Sequence, residues 1–188
     1  MSVQPDWGAL RLLIVGGKTH TAQTLRTVMG IVGIRDVTIA SDSGAALELL
    51  RNQKYAAVFC DENTAPIKQM PFSRAARHAA GVLNPMIPIF LVSSTPRRRL
   101  IEAERDRGIS DVIARPVSAA TIIRKLRLAL ERPRSFIKAG EYFGPDRRGE
   151  TRPPFGGNDR RDRAARKVKV NAKVARDLAA DDPGATYI

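Results

Sequence analysis

Up to Arg132 the chain alternates short apolar blocks with longer segments whose apolar positions recur at helical spacing. The blocks are Leu12-Leu13-Ile14-Val15, Asp36-Val37-Thr38-Ile39-Ala40, Tyr55-Ala56-Ala57-Val58-Phe59-Cys60, Ile89-Phe90-Leu91-Val92 and Val112-Ile113-Ala114. Continuous apolar runs of this length, closed by polar or turn residues, predict strands buried on both faces. Between them, Leu25, Val28, Met29 and Val32 predict a first helix, with Thr19 and Thr21 as candidate N-caps. Ser43 is the candidate cap of a second helix through Leu50, and a loop with Pro66 and Pro71 leads to a third from Phe72 to Ala80. Pro96 opens a strongly charged fourth helix, Arg97 to Arg107, stopped by Gly108. Ser118 caps a fifth, with Ile122, Ile123, Leu126 and Leu130 as its apolar stripe.

Five strand–helix units in succession predict an α/β, doubly wound domain over residues 8–132, built on a five-stranded parallel sheet. In such sheets the functional crevice lies at the carboxyl ends of the strands. Gly16, Gly17, Asp61, Ser93 and Arg115 fall there, each just at or after a strand end. From Pro133 glycine, proline and arginine take over, and the pattern predicts a basic, largely disordered extension over 133–188. The stretch to Asn158 reads as irregular, and the Ala-, Arg- and Lys-rich stretch from Arg161 to Ala180 as marginally helical. An approximate repeat lies inside it: Phe143-Gly144-Pro145-Asp146-Arg147-Arg148 and Phe155-Gly156-Gly157-Asn158-Asp159-Arg160-Arg161.

Charge sharpens this picture. The net charge of +13 comes from 32 Lys and Arg against 19 Asp and Glu. The chain to Arg132 holds 19 basic and 11 acidic residues, and the rest 13 and 8, so both parts favour anionic partners. No apolar run approaches the roughly 18 residues of a membrane span, and the N-terminus lacks the pattern of a signal peptide. The single cysteine, Cys60, sits in a predicted buried strand, which fits a reducing cytoplasm.

The order of strand ends resembles the receiver domain of bacterial response regulators, the CheY-like, flavodoxin-like fold. The resemblance covers the part of the chain up to Arg132. It implies that Asp61 stands at the phosphoacceptor position and Ser93 at that of the hydroxyl residue contacting the phosphoryl group. Arg115-Pro116 stands where the family has Lys-Pro. Gly16-Gly17 replaces the acid pair that helps hold Mg²⁺, and Val112 falls where many members carry an aromatic switch residue. Pro66 lies one residue later than is usual after the phosphoacceptor.

A working receiver pocket gathers three carboxylates and one lysine, a surplus of about two negative charges that a divalent cation balances. Here Asp61 is the one matched carboxylate, and Arg115 and Lys18 supply positive charge. The expectation is a degenerate receiver with no metal, no cofactor and no enzymatic activity, in which the Arg115 guanidinium pairs with Asp61 in a two-pronged way. Gly17-Lys18-Thr19 resembles the end of a P-loop, but the glycine that motif needs five residues earlier is Leu12. His20 and His78 are far apart in sequence and have no cysteine nearby, which argues against a metal role.

Two charged stretches are candidate binding surfaces. Arg97, Arg98 and Arg99 open the fourth helix, on the face receivers of this type use for partners such as a histidine kinase, a phosphotransfer protein or a motility component. Arg147, Arg148, Arg160 and Arg161 stand in the extension. That extension resembles the arginine-rich tails of alphaproteobacterial single-domain receivers, some of which bind cyclic di-GMP. Aromatics beside these arginines also suit RNA. The leading expectation is a protein–protein signalling module, and the alternative is a tail that binds an anionic ligand such as cyclic di-GMP or nucleic acid.

Overall fold

Each apolar block becomes a strand in the computed structural model, which describes residues 6–17, 19–146 and 166–168. The strands are β1 (Arg11–Val15), β2 (Asp36–Ala40), β3 (Ala57–Asp61), β4 (Ile89–Ser93) and β5 (Asp111–Ala114). The helices are α1 (His20–Val32), α2 (Ser43–Asn52), α3 (Phe72–His78), α4 (Arg98–Asp106) and α5 (Ala119–Glu131). The strands form one sheet in the order β2-β1-β3-β4-β5, and all four pairings are parallel. This is the doubly wound arrangement the sequence predicts.

The period of two along each strand splits the core. Leu12, Ile14, Phe59, Phe90, Val92 and Ile113 point to the layer holding Leu25 and Met29 of α1 and Ile122 and Leu126 of α5. Leu13, Val15, Val58, Cys60, Ile89 and Leu91 point to the other, with Leu47 and Leu50 of α2 and Phe72 of α3. Every residue of β3 and β4 is buried, which explains why those blocks show no alternation in the sequence. Burial pushes the Cys60 thiol up to about 12, so it stays protonated.

Helix starts follow local hydrogen bonding. Thr19 caps α1 and Ser118 caps α5, as expected. The cap of α2 is not Ser43 but Asp42, whose carboxylate accepts from the Ala45 N–H at 2.9 Å. Ser43 is turned inward instead, and its hydroxyl donates to the Ala65 carbonyl at 2.5 Å, tying α2 to the loop after β3. The third and fourth helices end slightly earlier than their patterns suggest, at His78 and Asp106.

The stretch after Pro133, expected to be irregular, carries two strands. These are β6 (Phe136–Ala139) and β7 (Tyr142–Pro145), an antiparallel hairpin closed by Gly140 and Glu141. A two-stranded hairpin is marginal alone in water. This one is held by Arg77 of α3, a guanidinium only 4% exposed. Its Nε and Nη2 donate to the Gly108 carbonyl at 3.0 Å, and Nη1 donates to the carbonyls of Pro85 and Ile87 at 2.6 Å. The buried ring of Phe136 lies against it, 5.1 Å from centroid to guanidinium carbon. Burial pushes Arg77 down to about 9, leaving it charged at neutral pH. Arg74 also pairs with Glu141 at 2.7 Å. The remaining short strand, β8 (Arg166–Val168), lies within the stretch read as helical and pairs antiparallel with β6. An open sheet edge offers unpaired backbone groups, and that outweighs weak helical propensity.

The hairpin predicts a measurable boundary. A chain ending at Arg132 loses Phe136 and uncovers Arg77. It is expected to be less stable than one ending at Asp146 by about 3 kcal/mol or more, the range for losing a buried phenylalanine. Urea unfolding of the two chains checks this, and equal midpoints would remove the hairpin from the domain core.

Candidate functional site

The carboxyl ends of β1, β3, β4 and β5 bring Gly16, Gly17, Asp61, Ser93 and Arg115 into one cluster. Lys18, expected beside them, lies outside the described residues. Asp61 is the last residue of β3 and is 6% exposed. Its Oδ1 accepts from the Asn63 N–H at 2.9 Å and the Asn63 side-chain amide at 3.2 Å. The next residue, Thr64, donates its hydroxyl to the Val15 carbonyl at 3.2 Å, which fastens this loop to the end of β1.

Gly16 and Gly17 fit this corner because they have no side chains. Gly16 has φ +145°, and a Cβ there would lie 3.0 Å from the Cβ of Asp61. Gly17 has φ +67°, and a Cβ there would lie 2.9 Å from the Ser41 carbonyl oxygen. Both the backbone conformation and the space disfavour any other residue.

Arg115 follows β5, before a cis bond to Pro116. A single nitrogen, Nη2, lies 3.3 Å from both Asp61 oxygens and 3.3 Å from Glu62 Oε1. The expected two-pronged pairing is therefore replaced by one nitrogen shared among three oxygens. The cause is Glu62, which draws the same N–H group, while Arg115 Nε is buried with no hydrogen-bond partner. These contacts are longer than strong charge-assisted hydrogen bonds, and the arginine is partly exposed. They organise charge more than they stabilise the fold, at about 1 kcal/mol or less.

Glu62 is the member of the cluster that sequence reasoning missed. The Ser93 hydroxyl, fully buried, donates to Glu62 Oε2 at 2.5 Å, and the Ser94 N–H donates to Oε1 at 2.7 Å. Ser93 thus faces Glu62 rather than Asp61. Desolvation raises the pKa of Glu62. Hydrogen bonds from Ser93 and Ser94 and the charge of Arg115 outweigh it, so the carboxyl lies below the usual range. The signal available in the sequence was the second acid of Asp61-Glu62, directly at a strand end.

Mg²⁺ takes several oxygen ligands in near-octahedral geometry. The residues here do not fit it. Asp61 is held by Asn63 and Arg115, Glu62 by Ser93, Ser94 and Arg115, and two glycines stand beside them. Among the described residues, no group of three His, Cys, Asp or Glu side chains is placed to hold a metal. Arg97, Arg98 and Arg99 are all exposed, at the start of α4, with Arg98 paired to Glu102 at 2.8 Å. The tail residues Arg147, Arg148, Arg160 and Arg161 lie outside the described residues.

No protein-family model matches the sequence. Solved structures do match. The receiver domain of a sensor histidine kinase from Pseudomonas aeruginosa, with magnesium in its active-site cleft, aligns at 20% identity and a TM-score of 0.52. The match covers 62% of this chain and 94% of that one. The chemotaxis response regulator CheY4 of Vibrio cholerae aligns at 17% identity over 63% of this chain and 96% of its own, with a TM-score of 0.54. A response regulator from Desulfuromonas acetoxidans gives 17%, 64%, 96% and 0.55 on the same measures. The fold is that of response-regulator receiver domains. Nearly the whole of each of these proteins is accounted for by about two thirds of this chain. No helix among the described residues is long and apolar enough to cross a membrane.

Glu62 ionises more readily in the fold than in the unfolded chain, where its pKa is near 4.5. Its stabilisation is complete above that pH and is lost as pH falls through the lower folded value. Glu62→Gln is expected to be less stable than the parent at neutral pH, with the gap closing as the pH falls below the unfolded value of 4.5. Urea midpoints across that range test it, and a gap constant with pH would remove the ionised carboxylate from the account.

Proposed function

We propose that this chain is a degenerate receiver: a signalling module that works by binding partner proteins, with little or no Mg²⁺-dependent phosphorylation of Asp61. The observation that carries this is Arg115 Nη2, 3.3 Å from both oxygens of Asp61, beside two glycines with no room for side chains. Phosphoryl transfer depends on cationic stabilisation of the charge spread over the transferring group. In this cluster the arginine is already shared by two carboxylates, and the Ser93 hydroxyl is committed to Glu62. The guanidinium also sets a positive charge against Asp61 without a phosphoryl group.

The reading is tested with a small phosphodonor, such as acetyl phosphate, and Mg²⁺. The expected result is an unchanged mass of the intact chain. A Mg²⁺-dependent mass gain that disappears in Asp61→Asn would overturn it.

The docking surface on this reading is the start of α4, next to the edge strand β5, where Arg97, Arg98 and Arg99 stand exposed. Three exposed cations at a helix N-terminus oppose the macrodipole, a small cost that an acidic partner would offset. Candidate partners are signalling proteins of the kinds receivers bind: a histidine kinase, a phosphotransfer protein or a motility component. Reversing all three arginines to glutamate is expected to lower capture of such a partner at least tenfold, with nuclease having no effect. Capture that survives the reversal but is lost with nuclease, or on ending the chain at Asp146, would move the function to an anionic ligand held by Arg147, Arg148, Arg160 and Arg161.

A further inference from the structure

An apolar cavity lies not at Asp61 but at the opposite end of the sheet. About 140 Å³ in volume, it is walled by the amino-terminal ends of β4 and β5, the end of α5 and the hairpin. Its apolar lining includes Tyr55, Met86, Phe90, Leu128, Phe136 and Pro145. Part of the wall, including Phe136 and Pro145, comes from chain that follows α5. Leu128 is 46% exposed at the rim, although it belongs to a helix whose other large apolar residues are buried or half-buried.

A second, polar cavity of about 120 Å³ adjoins it, and the two share Ser110, Arg134 and Pro145. Arg105 and Arg134 both line the second cavity, and Arg132 lines the first. None of these three arginines has an ion pair among the described residues. Of the carboxylates nearby, Glu131 pairs with Arg127 at 3.6 Å and Asp111 with Lys125, while Asp146 follows Pro145 and its N–H donates to the Ser135 carbonyl at 2.7 Å. The Ser110 hydroxyl accepts from the Ile89 N–H at 3.1 Å and keeps its own proton to donate.

An apolar cleft leading into a compartment with two unpaired guanidinium groups has the polarity of an amphipathic anion. We propose that it is a binding site for an acyl-chain anion, with the chain in the cleft against Phe90, Phe136 and Leu128 and the anionic head between Arg105 and Arg134. Guanidinium groups pair with carboxylate and phosphate heads through parallel N–H donors, and the apolar body brings the hydrophobic part of the affinity. Arg132 at the rim adds long-range attraction. The site is independent of the Asp61 cluster and does not rest on the receiver reading of it.

The test uses the full chain, with 8-anilinonaphthalene-1-sulfonate as fluorescent reporter and decanoate as competitor. The reporter is expected to bind with one site per chain, and decanoate to displace it below its micellar concentration. Decyltrimethylammonium, which has the same chain and the opposite charge, should compete at least tenfold more weakly. Arg105→Glu and Arg134→Glu should each weaken decanoate at least tenfold while leaving the urea midpoint unchanged. Leu128→Trp, at an exposed position, should block the cleft without touching the charges. Equal competition by the cationic amphiphile, insensitivity to all three substitutions, or binding only above the micellar concentration would each overturn the proposal.

Discussion

Burial of the parallel sheet on both faces constrains nearly everything else in this molecule. The ladder uses the backbone amides of β1 to β5, and helices cover both sides, so side chains along β3 and β4 have no access to water. Polar groups are confined to the strand ends. Asp61, Ser93 and Arg115 are all placed there, and the connections that follow each strand set how they meet. The same constraint produces a second end, where the strands begin, and there the hairpin supplies part of the wall of a cleft.

At the carboxyl end the balance of charge gives the cluster its character. Two carboxylates, Asp61 and Glu62, share one nitrogen of Arg115, and the Ser93 hydroxyl closes the set on Glu62. Each of these groups has a partner inside the protein, and Gly16 and Gly17 pack where side chains would otherwise enter. On the reading proposed above, the cluster is a set of charges matched within the protein rather than a site awaiting a phosphoryl group. Signalling then depends on surfaces, with the exposed arginines of α4 the most accessible of them.

The hairpin rests on a different kind of interaction. Arg77 carries a buried positive charge whose hydrogen bonds all go to carbonyl oxygens, from Pro85, Ile87 and Gly108. Those carbonyls come from the segments entering β4 and β5, so one guanidinium joins α3 to two strand entrances. Phe136 covers it, and the desolvation cost of the charge is offset by hydrogen bonds and the aromatic face. Through that contact the chain after α5, up to Asp146, packs against the five-stranded unit.

How much of this was legible in the sequence depended on the range of the interaction. The apolar blocks fixed the number and order of strands, because burial on both faces leaves a mark on every consecutive residue. The strand-end positions of Asp61, Ser93 and Arg115 followed directly, as did the caps Thr19 and Ser118, whose hydrogen bonds span only three residues. Glu62 leaves no local signature because its role comes from Ser93, Ser94 and Arg115, all remote in the chain. Ser43 carries a capping signal that the fold does not use, because its acceptor, Ala65, lies on another connection. The hairpin carries only an irregular signal because its strands are four residues each, and it is held by contacts with α3, Phe136 on Arg77 and Glu141 on Arg74. The sequence by itself therefore determined the sheet, its helices and which residues stand at its ends, since those follow from local periodicity. Tertiary structure alone decided which charges pair, which arginines remain unpaired and where the hairpin docks, because those depend on contacts between residues that chain order does not bring together.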